Sequence, residues 1–249
     1  MPKSVFVFRA TFVLAAVTAA APCRAAVESE LEAGLVFAGR NDVRIPGSGG
    51  TQISLADELH TDPTPVFRVR VGYRFRERHL ITALYAPLQV NATGTIDRDV
   101  SFSGGTYPSG SPVLAVYRFD SYRLTYRYSF VRRPGLELAA GGTAKIRDAE
   151  ISLYGADARS KTNTGFVPLL NFHIAWRPGD GRFGLLLDAD ALVAPQGRAE
   201  DVLLAITWAL RDGVELRAGY RTLEGGADND EVYNFAWLHY AVIGIALTL

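Results

Sequence analysis

The chain of 249 residues has a single cysteine, Cys23, and a single methionine, Met1. Cys23 lies inside an N-terminal stretch with the marks of an export signal: Lys3 and Arg9, then the apolar run Thr11 to Ala21 and small residues ending at Ala25. The run is too short to span a bilayer as a helix. Cleavage after Ala25 is expected, giving residues 1–25 as signal peptide and 26–249 as one domain. The mature chain then has no thiol, which excludes disulfides and cysteine chemistry. Charge of one sign is also missing. The whole chain balances 26 basic against 26 acidic residues, and loss of Lys3, Arg9 and Arg24 leaves a mild acidic excess. No nucleic-acid partner is expected. After the leader, no uncharged apolar run is long enough for a transmembrane helix.

What the chain has in abundance is alternation with a period of two. In Phe67 to Phe75, Phe67, Val69, Val71, Tyr73 and Phe75 take one face and Arg68, Arg70 and Arg74 take the other. Ten such segments predict ten strands, near 28–38, 67–75, 79–90, 121–130, 136–147, 163–177, 183–193, 201–210, 214–223 and 232–249. The third is apolar on both faces, so its phase stays open. The connections alternate. Short turns fall at 76–78, 131–135, 179–182 and 211–213. Glycine-, proline- and asparagine-rich connections fall at 39–64, 91–112, 155–162, 194–200 and 224–231.

A soluble β-sandwich also alternates. Three features favour lipid: dense arginine and glutamate rows on the polar face, aromatics at strand ends (Tyr126, Tyr128, Phe130, Trp176, Phe183, Trp208, Tyr220, Phe235, Trp237), and the short–long asymmetry of the connections. On these features the chain resembles a bacterial outer-membrane β-barrel over residues 26–249. The resemblance implies an all-β fold: a single antiparallel up-and-down transmembrane barrel of about ten strands, with short periplasmic turns and long extracellular loops. It implies an outer-membrane location, lipid as surroundings, the barrel-assembly machinery as a partner during biogenesis, and a monomer. Such barrels usually finish on an aromatic residue; this chain finishes on Leu249.

A charge facing hydrocarbon costs roughly 2–4 kcal/mol near the midplane, so the arginine rows are assigned to the lumen. Cations Arg68, Arg70, Arg74, Arg123, Arg127, Lys145, Arg147, Arg217 and Arg221 face anions Glu30, Glu32, Glu137, Asp188, Asp190 and Glu215. In a barrel this narrow, side chains of that length fill most of the interior. The expected role is a non-enzymatic outer-membrane barrel with a charged, largely filled lumen and long external loops. A narrow anion-favouring channel is the first alternative. The second is a barrel hydrolase using His173 and Asp188, which a four-residue turn at 179–182 would place opposite each other, with Asn171 opposite Asp190. No nucleophile or phosphate-loop motif accompanies them, and no cofactor is expected. Asp228, Asp230 and Glu231, in the oxygen-rich stretch Glu224 to Glu231, could hold Ca²⁺, but EF-hand spacing is missing and the stretch reads as a solvated turn. His60, His79 and His239 are scattered.

Overall fold

The computed structural model describes residues 25–179, 181–194 and 197–249. The expected signal peptide therefore lies outside the described residues, apart from Ala25. Among the described residues there is no helix. The strands in chain order are β1 (Ala26–Arg44), β2 (Ile53–Ser54), β3 (His60–Thr61), β4 (Thr64–Phe75), β5 (His79–Ala86), β6 (Gln89–Thr95), β7 (Val100–Phe102), β8 (Gly105–Tyr107), β9 (Pro112–Arg133), β10 (Leu136–Tyr154), β11 (Ala158–Trp176), β12 (Phe183–Ala194), β13 (Gly197–Arg211), β14 (Val214–Asp228) and β15 (Tyr233–Thr248).

Ten antiparallel staves form the wall: β1, β4, β5 with β6, and β9 to β15, each hydrogen-bonded to the next. β15 returns to β1, from Glu28↔Thr248 to Arg44↔Tyr233, and closes the barrel. Closure leaves the spanning backbone without a free edge, as hydrocarbon requires. The third stave is broken, contrary to one continuous strand over 79–90. Pro87 has no N–H to give the ladder, and at the break Leu88 N bonds to the Asp120 carboxylate instead (3.2 Å). The structure also sets its phase: Leu80, Leu84 and Val90 point inward and Ile81 and Tyr85 outward.

The outer wall carries an apolar belt that includes Leu31, Leu35, Phe67, Val71, Tyr73, Leu124, Ile146, Leu170, Leu204 and Ile206. Phe67 is 47% exposed while its neighbour Arg68 is 8% exposed. This is the alternation expected when lipid, not water, meets the apolar face. Aromatics rim the belt. Trp176, Phe183, Trp208, Tyr128 and Phe130 stand at the short-turn end, and Tyr220 and Trp237 toward the other. Phe235 is held between Arg40 and Arg198, at 4.6 and 4.8 Å from its ring centre.

Two of the five longer connections are true loops, 45–63 and 96–111. Elsewhere the strands run on past the belt, and hairpins such as Tyr154↔Ala158 and Asp228↔Tyr233 close them tightly. The two loops fold back over the long-loop mouth. Ile45, Ile53, Leu55, Leu59, Val100, Phe102 and Tyr107 pack onto inward Val43, Val90, Tyr117 and Leu153 as one buried apolar cluster. Tyr107 donates its hydroxyl to the Leu153 carbonyl (2.8 Å).

Candidate functional site

Below that lid the lumen is ionic, and its centre is Asp201. Arg68 donates to the Asp201 carboxylate through Nη1 and Nη2 (both 3.0 Å), Arg123 through Nη2 (2.6 Å) and Arg221 through Nη1 (2.5 Å). Glu32 takes the other edge of Arg221, at 2.9 and 2.8 Å. Asp190 accepts from Arg123 (2.7 Å), Thr143 (2.8 Å) and Asn171 (2.8 Å). Eight strands (β1, β4 and β9 to β14) thus tie to one another across the interior, with every carboxylate shared.

Toward the short-turn end, Asp188 accepts from Arg70 (2.9 Å) and Arg127 (3.0 Å). Glu30 pairs with Arg217 (2.8 Å), and Arg217 also holds Glu215 (3.0 Å). Arg74 bridges Glu28 (2.5 Å) and Glu137 (3.0 Å). These groups line a cavity of about 840 Å³ that reaches the short turns and includes Arg132, Arg177 and Arg211 on its wall.

Of the lumen residues assigned from sequence, all the carboxylates and seven of the cations join this network. Lys145 faces inward but has no carboxylate within ion-pair distance among the described residues; its ammonium lies 4.7 Å from the Phe119 ring centre, a cation–π contact. Arg147 stands above the network and bonds to Asn163. Asp201 and Glu28 are carboxylates that the strand reading omits. Asp201 sat at a predicted strand end, yet the alternation carries the signal: Val202, Leu204 and Ile206 face out, so Asp201, Leu203 and Thr207 face in. With these two acids added, the expected cationic excess of the lumen nearly vanishes.

His173 and Asp188 are register partners, as are Asn171 and Asp190. His173 Nδ1 lies 3.3 Å from Asp188 Oδ2. That carboxylate is already engaged by two arginines, and no hydroxyl or thiol hydrogen-bonds to His173 among the described residues. The other three histidines are apart from it: His60 meets the Asp62 carboxylate at 3.1 Å in a loop, and on the outer wall His79 meets the Tyr126 hydroxyl at 2.8 Å and His239 that of Tyr220 at 2.5 Å. Asp228, Asp230 and Glu231 do not converge. Glu231 pairs with Lys161 (2.9 Å), and among the described residues no three metal-ligating side chains gather.

The wall, its closure and its outward apolar belt decide the architecture. The fold is that of an outer-membrane β-barrel. Compared with solved structures, the chain is similar to the outer membrane protease OmpT from Escherichia coli, at 9% identity and a TM-score of 0.55, over 90% of this chain and 97% of that one. It is less similar to the COG4313 outer membrane channel from Pseudomonas putida F1, at 8% identity and a TM-score of 0.45, over 92% and 97%. For Ail, the attachment invasion locus protein of Yersinia pestis, the values are 8% identity and 0.39, over 89% and 98%. No protein-family model and no curated protein sequence matches the chain. At such identities the likeness concerns the fold.

Proposed function

We propose that the chain is exported to the outer membrane and works there as a monomeric, non-enzymatic barrel whose lumen is sealed and whose activity lies at the long-loop end. One observation carries the reading. The cavity at the short-turn end and a second, smaller one at the long-loop end share no lining residue. Between them lie buried Arg68, Arg123, Arg221, Asp190 and Asp201, with inward Leu84 and Leu203. A conducting path would have to break at least one of the shared ion pairs and leave a buried charge without its partner. In a planar bilayer, the purified protein should give no conductance steps at concentrations where a porin control opens. Reproducible unitary steps would overturn the sealed lumen and favour the narrow channel.

A hydrolase reading draws on the name of one structural neighbour, a protease, and on the His173–Asp188 pair. Against it stand the arginines that occupy Asp188 and the pair's place near the short turns. His173→Asn should leave the barrel's long-loop functions unchanged. A hydrolytic activity lost in that variant, with folding intact, would revive the enzyme.

A further inference from the structure

β10 and β11 pair along their whole length, from Leu136↔Trp176 to Tyr154↔Ala158. β11 and β12 pair only from Trp176↔Leu185 to Leu170↔Ala191. Above Leu170, one edge of β11 pairs with no strand among the described residues, which leaves a notch in the described wall. Pro168 lies on this stretch, where its missing N–H costs no ladder bond. The floor of the notch meets the top of the apolar belt. Phe166 on one side and Val193 on the other are 67% and 76% exposed, while Thr164, just above, donates to Asp148 (3.4 Å).

Behind the notch is a cavity of about 440 Å³. The Tyr117 and Phe119 rings wall it, parallel within 3°, together with Ile151. Arg147 projects into it. Its Nη2 donates to Asn163, but its Nε is buried and bonds to nothing. No carboxylate among the described residues lies within ion-pair distance of it. A buried guanidinium donor without an acceptor is costly, and carboxylate is the partner whose geometry suits the fork. A Cβ on Gly165 would stand 3.1 Å from Arg147 Nη2, so the glycine keeps the approach to the guanidinium open. Lys161 and Glu231 bridge the upper rim at 2.9 Å.

We propose that this notch binds an organic monocarboxylate with an apolar body, of the medium-chain fatty-acid type. The carboxylate accepts from the cavity-facing guanidinium N–H groups of Arg147, and the chain lies along Tyr117, Phe119 and Ile151. The volume is within the range of small-molecule sites. The proposal rests on the long-loop end being the working end, and it places no demand on the sealed lumen below.

The test uses the full barrel in lipid nanodiscs, where no detergent competes, titrated with a dansyl-labelled medium-chain fatty acid and with its uncharged methyl ester. Empty nanodiscs set the partition background. The acid should bind saturably, and the ester at least ~10-fold more weakly, a difference of about 1.4 kcal/mol. Arg147→Gln removes the charge, and Gly165→Val blocks it while leaving it in place. Each should weaken the acid at least ~10-fold while keeping heat-modifiable migration. If one variant fails to fold, the other decides. Equal binding of acid and ester, or wild-type affinity in a folded variant, would mean partition into lipid only and would overturn the site. Conductance in the bilayer assay would overturn the sealed lumen without altering this dependence on Arg147, so the two failures are distinguishable.

Discussion

The lower and upper halves of the barrel are built from the same strands with opposite polarity. On β9, Tyr122, Leu124 and Tyr126 face out and Arg123 and Arg127 face in. Just before them on the same strand, Arg118 and Asp120 face out and Val113, Ala115 and Tyr117 face in. β10 does the same: Ile146 outside and Lys145 inside give way to Asp148 and Glu150 outside and Ile151 and Leu153 inside. On β1, inward Glu30 and Glu32 are followed by Val36 and Val43. The change marks where the solvent outside the wall changes. Against lipid the outer face must be apolar, so polar groups collect within. Above the lipid the outer face meets water, and the interior reverts to the apolar core of a soluble β protein.

This contrast can be broken at its most charged point. Asp201→Ala leaves Arg68, Arg123 and Arg221 around a missing carboxylate. It should destabilise the barrel by about 3–5 kcal/mol, the cost of stranding buried charge, measured as a shift in the urea midpoint of reversible refolding into vesicles. A loss below about 1 kcal/mol would mean that water, not protein, solvates these arginines. In the apolar half, Leu55→Ala should cost about 2–4 kcal/mol of local stability. Its readout is faster proteolysis of the 45–63 loop with the urea midpoint of the wall unmoved; a global shift would show that the two halves unfold together.

The boundary itself can be located by one charge at two heights. Ile146→Arg puts a cation on the lipid face and should cost about 2–4 kcal/mol, whereas Thr162→Arg, on the outer face beside Glu150, should cost about 0–1 kcal/mol. Equal costs would place the lipid boundary elsewhere. The smallest effect is expected in the lid. Arg98 holds Glu58 at 2.5 Å and the Gln52 carbonyl at 2.7 Å. Burial raises the Glu58 carboxyl pKa, but the bonds from Arg98 and the Ser54 amide outweigh it and hold it below the ordinary value. A depressed folded-state pKa gives stability that is present above the ordinary glutamate range and fades as pH falls through the depressed value. The pair is partly exposed, so Glu58→Gln should cost at most about 1 kcal/mol. Wild-type lid protection from proteolysis should fall toward the variant's level under acid conditions; a variant whose protection falls just as steeply would exclude Glu58 as the cause.

The belt half of this molecule was open to sequence reading because one rule, apolar out and charged in, governs every rung there. Arg68, Asp188 and Glu30 follow from it directly, and the His173↔Asp188 register follows from the length of one turn. Above the belt the rule inverts without interrupting the alternation. Glu224 then looks like the start of a loop and Arg118 and Asp148 fall outside the predicted strands, although all three continue strands. The lid was hidden for a different reason: Ile45, Phe102 and Tyr107 meet only through contacts distant in sequence, which no local period records. Pairing that simply stops, as on β11 above Leu170, leaves no trace in composition beyond Pro168.

The seam between β1 and β15 has a kinetic corollary. Val27 and Leu249 exchange both backbone hydrogen bonds, at 3.1 and 2.9 Å, so the first and last staves to be synthesised are neighbours. The ring closes only when β15 is present to pair with β1. The seam joins strands that lie at opposite ends of the barrel's strand order, so it is the pairing of greatest sequence separation and carries the largest loop-closure entropy of any in the wall.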